Sequence, residues 1–484
     1  MVTDFNKKKV LVVGLGSLGG GVATVKWLVD HGASVTVTDA GKKKNLEKSI
    51  RALKSCGKKV RFVLGRHDKK DFVSHDVIVV NPAVKISGNP FLSLAKKKNV
   101  PVTNDLGIFL GNAKNPIIAV TGTRGKTTTA NWIAYFLSGK YPGAKASGNS
   151  SDDALLKLLP RLERRRNMPA VLELSSFQLE LANQIRRAPD IAVVTNLYRD
   201  HLNRHGSMEK YARAKANIFL KQTEDQILVL NRDNEWTEYF LKRNSKSRLA
   251  FVSLDRPVLG KNSRFLVRAN KRVIFSDGKT RRTVFSKKTA EKIESLGEHN
   301  IYNFLCAALA AHYAGVSWSE IEKKTETLPQ IPYRQETVIK RKDLAVINDT
   351  AATSPDGTLA ALRRFGGKDT ALIAGGTDKK LKYSLWAQEV KKHIVPNNLF
   401  LLEGSATRKM IRELNKAGYF RKGRPQTFGS LEELLGSVKK RLETDDHKPT
   451  TVLFSPAAAS FEKFKNEFDR GEKFNALAKK AFGR

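Results

Sequence analysis

Residues 121–129 read Thr-Gly-Thr-Arg-Gly-Lys-Thr-Thr-Thr, which sets a lysine and a hydroxyl side chain immediately behind a glycine turn. A turn of this kind between a strand and a helix points backbone N–H groups outward, and the helix dipole adds positive potential there. Lys126 can then reach the terminal phosphates of a nucleotide, and the Thr127 hydroxyl can ligate Mg²⁺. The fuller pattern G-x-x-x-x-G-K-[ST] calls for glycine at position 120, where Val120 stands, so an ordinary strand–helix turn that happens to hold a lysine competes with this reading. Glu173 closes a second apolar run at 170–173. A carboxylate at a strand end beside a phosphate loop suits Mg²⁺, a hard cation that prefers oxygen. His201 follows a third run at 191–195. Such a histidine alone is more often structural than a ligand, but ligands of open α/β sheets collect at the carboxyl ends of strands.

The elements that must position these groups are short apolar runs alternating with helical patterns. Residues 117–120 read as a buried strand, and Lys126 opens a helix running through Trp132 and Phe136. Upstream, a strand at 10–13 meets Gly14-Leu15-Gly16-Ser17-Leu18-Gly19, then a helix at 22–30 and a strand at 34–38 ending in Asp39. This is G-x-G-x-x-G with an acidic residue at the expected distance of about 20 positions. It offers N–H groups to a pyrophosphate; a dinucleotide and a nucleotide-sugar diphosphate fit equally, and no partner for hydride chemistry follows. Further strands are expected at 60–64, 76–80 and 101–104, and short strands with a Ser-Asp-Gly turn within 263–286. Gly297-Glu298-His299-Asn300 leads into an alanine-rich helix with Asn303 one turn on. In the last third, a strand precedes Asn348, and Pro355 favours a helix's first turn. Strands at 371–374, 399–402 and 451–454 follow, then a charged amphipathic helix to the end. The alternation predicts α/β architecture throughout.

A chain of 484 residues holds about three domains at roughly 150 residues each. No apolar run approaches the roughly 20 residues that cross a bilayer, and the run after Lys7-Lys8-Lys9 is too short for a signal-peptide core. Two cysteines, Cys56 and Cys306, point to a reducing cytoplasm. Lysine and arginine number 87 against 47 acids, a net charge of +40, which attracts polyanions. The basic clusters at 42–44, 96–98 and 164–166 are scattered, with no basic tail, zinc spacing or aromatic RNA-binding signature. A nucleic-acid-binding ATPase is therefore an alternative that rests on charge alone.

Taken together, these stretches resemble the Mur ligase family over essentially the whole chain. That family uses a shortened Thr-Gly-Thr-x-Gly-Lys-Thr loop, which accounts for Val120. The resemblance rests on residues 196–219, with Asp-His-Leu-x-Arg-His-Gly-Ser-Met, on 348–355, and on 455–471, with Ala-Ser-Phe-x-x-Phe-Lys-Asn. The last points to the glutamate-adding branch. The resemblance implies an α/β chain of three domains. Residues 1–112 would form a Rossmann-like domain for a UDP-linked substrate. Residues 113–331 would form a central P-loop ATPase with a parallel sheet plus a small β region, and 332–484 a Rossmann-like domain for the incoming amino acid. It implies an ATP-dependent, ADP-forming ligase of cytoplasmic peptidoglycan precursor synthesis. The enzyme would join D-glutamate to UDP-N-acetylmuramoyl-L-alanine through an acyl phosphate; L-glutamate or another amino acid is the alternative. A monomer with small-molecule partners is expected, without membrane insertion or specific nucleic acid.

Residue by residue, the resemblance gives Lys126 the γ-phosphate, with Gly122, Thr123, Arg124, Gly125 and Thr128 completing the ATP loop. Thr127 and Glu173 would hold a first Mg²⁺, and His201 a second. Lys215 matches a lysine that is carbamylated in this family, a change that turns a cation into an anionic oxygen ligand. Asn300 and Asn303 match adenine contacts; Arg334 and Asp349 match residues on phosphate and ribose. Thr353, Lys379 and Ser460 match a glutamate pocket, where a cation and hydroxyls suit carboxylates. Leu15, Ser17 and Asp39 would line the diphosphate site, with Asn149 reaching it. Three places depart from the family pattern: Ala351, where some members carry lysine; Ser150-Ser151-Asp152-Asp153, where a glycine turn is usual; and the phenylalanine over the glutamate, which falls at Glu467 or, one residue shifted, at Phe468.

Overall fold

The computed structural model describes residues 4–16, 19–148, 154–182, 187–244, 246–254, 263–420, 425–444 and 449–483. The chain forms two compact units, Met1–Leu328 and Pro329–Arg484.

The first unit carries two sheets. Strands β1 (Lys9–Val13), β2 (Ser34–Asp39), β3 (Val60–Leu64), β4 (Val77–Val80) and β5 (Val102–Thr103) pair in parallel in the order β3-β2-β1-β4-β5. Alternation along β1 explains its unbroken apolar sequence: Val10 and Val12 enter one core, Leu11 and Val13 the other. After β1 the chain builds outward to β3, then returns to place β4 on the other side of β1. Residues 14–16, which leave β1, therefore stand at the point where strand order reverses.

The second sheet comprises β6 (Ile117–Thr121), β7 (Ala146–Ser147), β8 (Ala170–Glu173), β9 (Ile191–Val194), β10 (Ile227–Asn231), β11 (Arg248–Leu254), β12 (Arg264–Ala269), β13 (Arg272–Asp277) and β14 (Arg281–Thr283). Its order is β14-β13-β12-β11-β10-β9-β6-β8-β7, parallel except for the closing hairpins of β13 and β14. Asn270 and Lys271, both at positive φ, turn β12 into β13. The expected Ser-Asp-Gly turn joins β13 to β14, where Asp277 Oδ1 accepts from the amides of Lys279 and Thr280. Helix Lys126–Leu137 packs on helix Glu298–Tyr313, with Phe136 edge-on to Phe304 at 5.7 Å between centroids. The two sheets share one core through helices Asp105–Asn112 and Leu155–Glu163. Asn104 adds a buried bond from Nδ2 to the Gln178 carbonyl at 2.7 Å.

The second unit holds β15 (Glu336–Lys340), β16 (Ala345–Asn348), β17 (Thr370–Gly375), β18 (Leu399–Leu402), β19 (Gln426–Phe428) and β20 (Thr451–Phe454), ordered β15-β16-β20-β17-β18-β19. Only β15 is antiparallel. The last strand inserts between β16 and β17, so the loops leaving these three strands emerge side by side.

Candidate active site

The chain leaves β6 through Gly122 and enters helix Lys126–Leu137 at Gly125, whose φ of 80° lies in the left-handed region. A Cβ at Gly125 would collide with Asn303 Oδ1, so glycine is required here by both conformation and contact. The loop is stapled to the end of β9. The Arg124 amide donates to Asn196 Oδ1 (2.9 Å), its carbonyl accepts from Thr195 Oγ1 (2.7 Å), and the Thr123 amide donates to the Asn196 carbonyl (3.0 Å). Lys126 bends back to donate from Nζ to the Thr123 carbonyl at 3.3 Å. Thr128 is buried in the helix's first turn, and Thr127 is half-buried beside it. Asn303, expected at adenine, sits against this loop and donates to Asn300 Oδ1 at 3.1 Å.

Strand ends bring the other groups to the same loop. β8 pairs with β6 so that Glu173 lies opposite Val120, packed against Gly148. Lys215, on helix Met208–Ala216, is only 1% exposed; its Nζ donates to the Gly122 carbonyl at 2.7 Å and lies 4.7 Å from the Tyr211 ring centroid. Burial, reinforced by the Lys126 charge, pulls its pKa well below the usual lysine range, against the opposing pull of Asp200 and Glu173. His201 has φ 53°, a conformation a non-glycine residue rarely holds, and its side chain is 45% exposed. Its ring stands between Phe177 and Tyr211, with Nε2 3.8 Å from Asp200 Oδ2. Among the described residues, no group of three His, Cys, Asp or Glu side chains is arranged to hold a metal. The donors at hand are the Thr127 hydroxyl, the Glu173 carboxylate and the His201 imidazole. The hydroxyl and the carboxylate are oxygen donors of the kind Mg²⁺ takes, and the imidazole is a nitrogen donor.

Several supporting residues were given no role by the sequence, although Arg204 and His205 stand in the Asp-His-Leu-x-Arg-His-Gly-Ser-Met motif. Ser176 Oγ and His205 Nε2 lie 3.0 Å apart, and the burial of His205 pulls its pKa down, with Glu180 opposing. Arg204 forks onto Glu180 and also donates to the Ala83 and Val84 carbonyls, tying the segment that carries His201 to the first sheet. Tyr211 brings its hydroxyl to 3.2 Å from Thr123 Oγ1. Their signal was position alone: all lie within or beside the 196–219 segment or follow Glu173.

At the first glycine turn, Asp39 faces inward. Its Oδ2 accepts from the amides of Leu15 (2.8 Å) and Gly16 (3.2 Å), and its Oδ1 from Gly41 (2.7 Å). Ser49 Oγ donates to the Gly16 carbonyl at 2.7 Å. Ser17, Asn149 and Ser150-Ser151-Asp152-Asp153 lie outside the described residues.

In the second unit, Lys379 Nζ donates to Thr353 Oγ1 at 3.0 Å, and Thr377 pairs with Ala459, bringing the loops after β16, β17 and β20 together. Ser460 is 3% exposed, and its hydroxyl has no hydrogen-bond partner among the described residues. A buried hydroxyl left so is costly unless a ligand or water meets it. Arg470 is fully buried. Its Nε donates to Thr350 Oγ1 and its terminal nitrogens to the carbonyls of Thr350, Ala458 and Ala459, so one guanidinium clamps two of these loops. Burial pulls its pKa down to about 10. Asp349 accepts from Ser455 Oγ (2.8 Å) and the Gln335 amide (3.2 Å), and burial pushes it up to about 7, against hydrogen bonds and the charges of Arg334 and Arg364. Ala351 donates its amide to the Tyr333 carbonyl at 3.0 Å. Of the two candidates for the covering phenylalanine position, Phe468 is exposed, 6.1 Å from the Tyr333 ring, while the Glu467 carbonyl accepts from Thr350 Oγ1.

Comparison with known proteins points to one family. Residues 8–104 match the Mur ligase MurD-like N-terminal domain, and residues 120–311 the Mur ligase middle domain. The chain is 34% identical over 471 residues to the UDP-N-acetylmuramoylalanine--D-glutamate ligase of Borreliella afzelii, covering 96% of each chain. It is 34% identical over 477 residues to the enzyme of that name from Roseiflexus sp., covering 97% of this chain and 98% of that one. Among solved structures, the fold is similar to the UDP-N-acetylmuramate-alanine ligase of Thermotoga maritima, with TM-score 0.57 and 18% identity over 98% of this chain and 99% of that one. It is also similar to MurF from Acinetobacter baumannii, with TM-score 0.55 and 16% identity over 98% and 92%. Full-length likeness at this level, on a chain whose loop and strand ends carry the groups described, makes it a member of the Mur ligase family.

Proposed function

We propose that the chain is an ATP-dependent, ADP-forming ligase that joins D-glutamate to UDP-N-acetylmuramoyl-L-alanine, in three working parts: 1–112 for the UDP-linked substrate, 113–331 for ATP and 332–484 for the amino acid. The observation that carries this reading is the likeness to D-glutamate ligases over 96% of the chain. The alanyl carboxylate attacks the γ-phosphorus and ADP leaves; the amine of D-glutamate then attacks the acyl carbon and phosphate departs, leaving an amide. A carboxylate does not accept an amine without such activation, and the charge that builds on the phosphoryl oxygens is what Lys126 and the loop's helix terminus offset.

Thr127 and Glu173 would hold one Mg²⁺ and His201 a second; bound there, the ions would neutralise phosphate charge. Lys215 suits the carbamate reading. Its burial and the nearby Lys126 favour the neutral amine, and only the neutral amine adds to CO₂. Thr353, Lys379 and Ser460 would receive the carboxylates of D-glutamate, with the buried Ser460 hydroxyl supporting that role. Asn300, Asn303, Arg334 and Asp349 would attend the nucleotide, and Leu15, Ser17, Asp39 and Asn149 the UDP moiety. No helix among the described residues is long and apolar enough to cross a membrane. A cytoplasmic monomer working on these small molecules is part of the proposal. The test is phosphate release from ATP on the muramoyl-alanine substrate with D- against L-glutamate. Equal inactivity with both would sink the reading, and preference for L-glutamate would reassign the amino acid. DNA-stimulated hydrolysis with no amide product would instead support the nucleic-acid reading.

A further inference from the structure

The family's loop, Thr-Gly-Thr-x-Gly-Lys-Thr, leaves one position open, and this chain fills it with Arg124. The backbone at 124 is committed to the end of β9 through Asn196 and Thr195, so what this residue contributes to the site comes from its side chain. The guanidinium lies 3.5 Å from Asp200 Oδ2, with the arginine side chain 34% exposed. Asp200 in turn acts electrostatically on Lys215 and Tyr211, and the charge of Arg124 also reaches Tyr211. Arg124 is thus linked through Asp200 to Lys215, on which Lys126 and Glu173 also act. The pair with Asp200 is itself long and partly exposed, hence weak, whereas guanidinium binds phosphate oxygens strongly and in bidentate fashion.

We propose that Arg124 is a second phosphoryl-stabilising cation of this ligase: Asp200 holds its guanidinium until the terminal phosphate of the nucleotide takes it over, two residues from Lys126. The inference rests on the ligase reading. A lone lysine neutralises one of the phosphoryl oxygens that gain charge as the group passes to the carboxylate; a planar guanidinium on the same loop can address two more.

The test is D-glutamate-dependent ADP release by the full chain under saturating substrates. If the unaltered enzyme releases none, the ligase reading falls and this proposal with it. If the unaltered enzyme is active, Arg124→Ala is expected to lower kcat on the order of a hundredfold, with a much smaller change in ATP dissociation constant. Arg124→Lys should fall between, and added guanidinium should restore part of the alanine variant's rate without raising that of the parent. Asp200→Asn should cost less than Arg124→Ala. The competing role is a latch that only fixes the turn before His201. It would make Arg124→Ala and Asp200→Asn equally slow, the double variant no slower, and guanidinium without effect; that result overturns the proposal, as does a kcat for Arg124→Ala within threefold of the parent (roughly the reach of a weak surface pair).

Discussion

At the end of β1 the glycine turn opening at 14–16 gives the amides of Leu15 and Gly16 to the Asp39 carboxylate, whereas at the end of β6 the turn over 122–125 binds its backbone to Thr195 and Asn196 and sets Lys126 beside the helix terminus. Both are glycine turns after a buried parallel strand and before a helix. They differ in which polar groups the protein satisfies for itself. The first is closed by an anion of its own chain, so a bound diphosphate there must work beside Asp39 or displace it. The second is braced from behind and supplies a cation in front. A glycine pattern reports the shape of a turn; the residues packed against it decide what the turn can hold.

That contrast predicts that the second turn carries the chemistry. Lys126→Ala should lower amide formation at least about a hundredfold in a coupled ADP assay, with little change in melting temperature. A rate within a few-fold of the parent would remove the distinction between the turns. Lys215→Ala should cost nearly as much, because the loop would lose the one buried amine beside Gly122. A short carboxylate added in solution should restore part of its rate if the native group is a carbamate. No rescue, together with an unmodified mass for Lys215, would count against the carbamate. Gly125→Ala ranks third. It must tolerate a φ of 80° and a collision with Asn303, a strain on the order of 1–3 kcal/mol. Adding Asn303→Ala should recover part of the lost melting temperature, since it removes the collision but not the strain.

The placement of Lys126, Thr127 and Glu173 at the ends of β6 and β8 could be read from sequence because a strand's geometry fixes the end of an apolar run locally. The two-residue β7 and the exposed β19 could not, since they are strands only by pairing with β8 and β18. The burial of Lys215 was equally hidden. It depends on Tyr211 and the Gly122 carbonyl closing around a residue that, on its own helix, reads as one more lysine. Arg470 shows the same limit. Nothing in an arginine near a charged helix's start says that it will be fully buried and spanned by the carbonyls of two loops. Asp39 was found by spacing, but its direction was not, because the pattern predicts an acidic residue near a ligand and the fold turns this one onto the amides.

The smallest expected effect on turnover, in Asp39→Ala, examines that direction. The substitution removes the acceptor for three amides, those of Leu15, Gly16 and Gly41, at a cost to stability of about 1.5–3 kcal/mol if water replaces it poorly. The turn should stay formed, because Gly14 and Gly16 supply its positive φ and Ser49 still holds the Gly16 carbonyl. Ligation should then show a raised KM for the UDP-linked substrate and an unchanged kcat, with KM for ATP unaffected. If Asp39 instead blocks the amides against the diphosphate, the same variant lowers that KM while still losing stability. Measuring melting temperature and KM on one protein separates the two: a carboxylate that completes the site costs both, and one that merely fills the turn costs only the first.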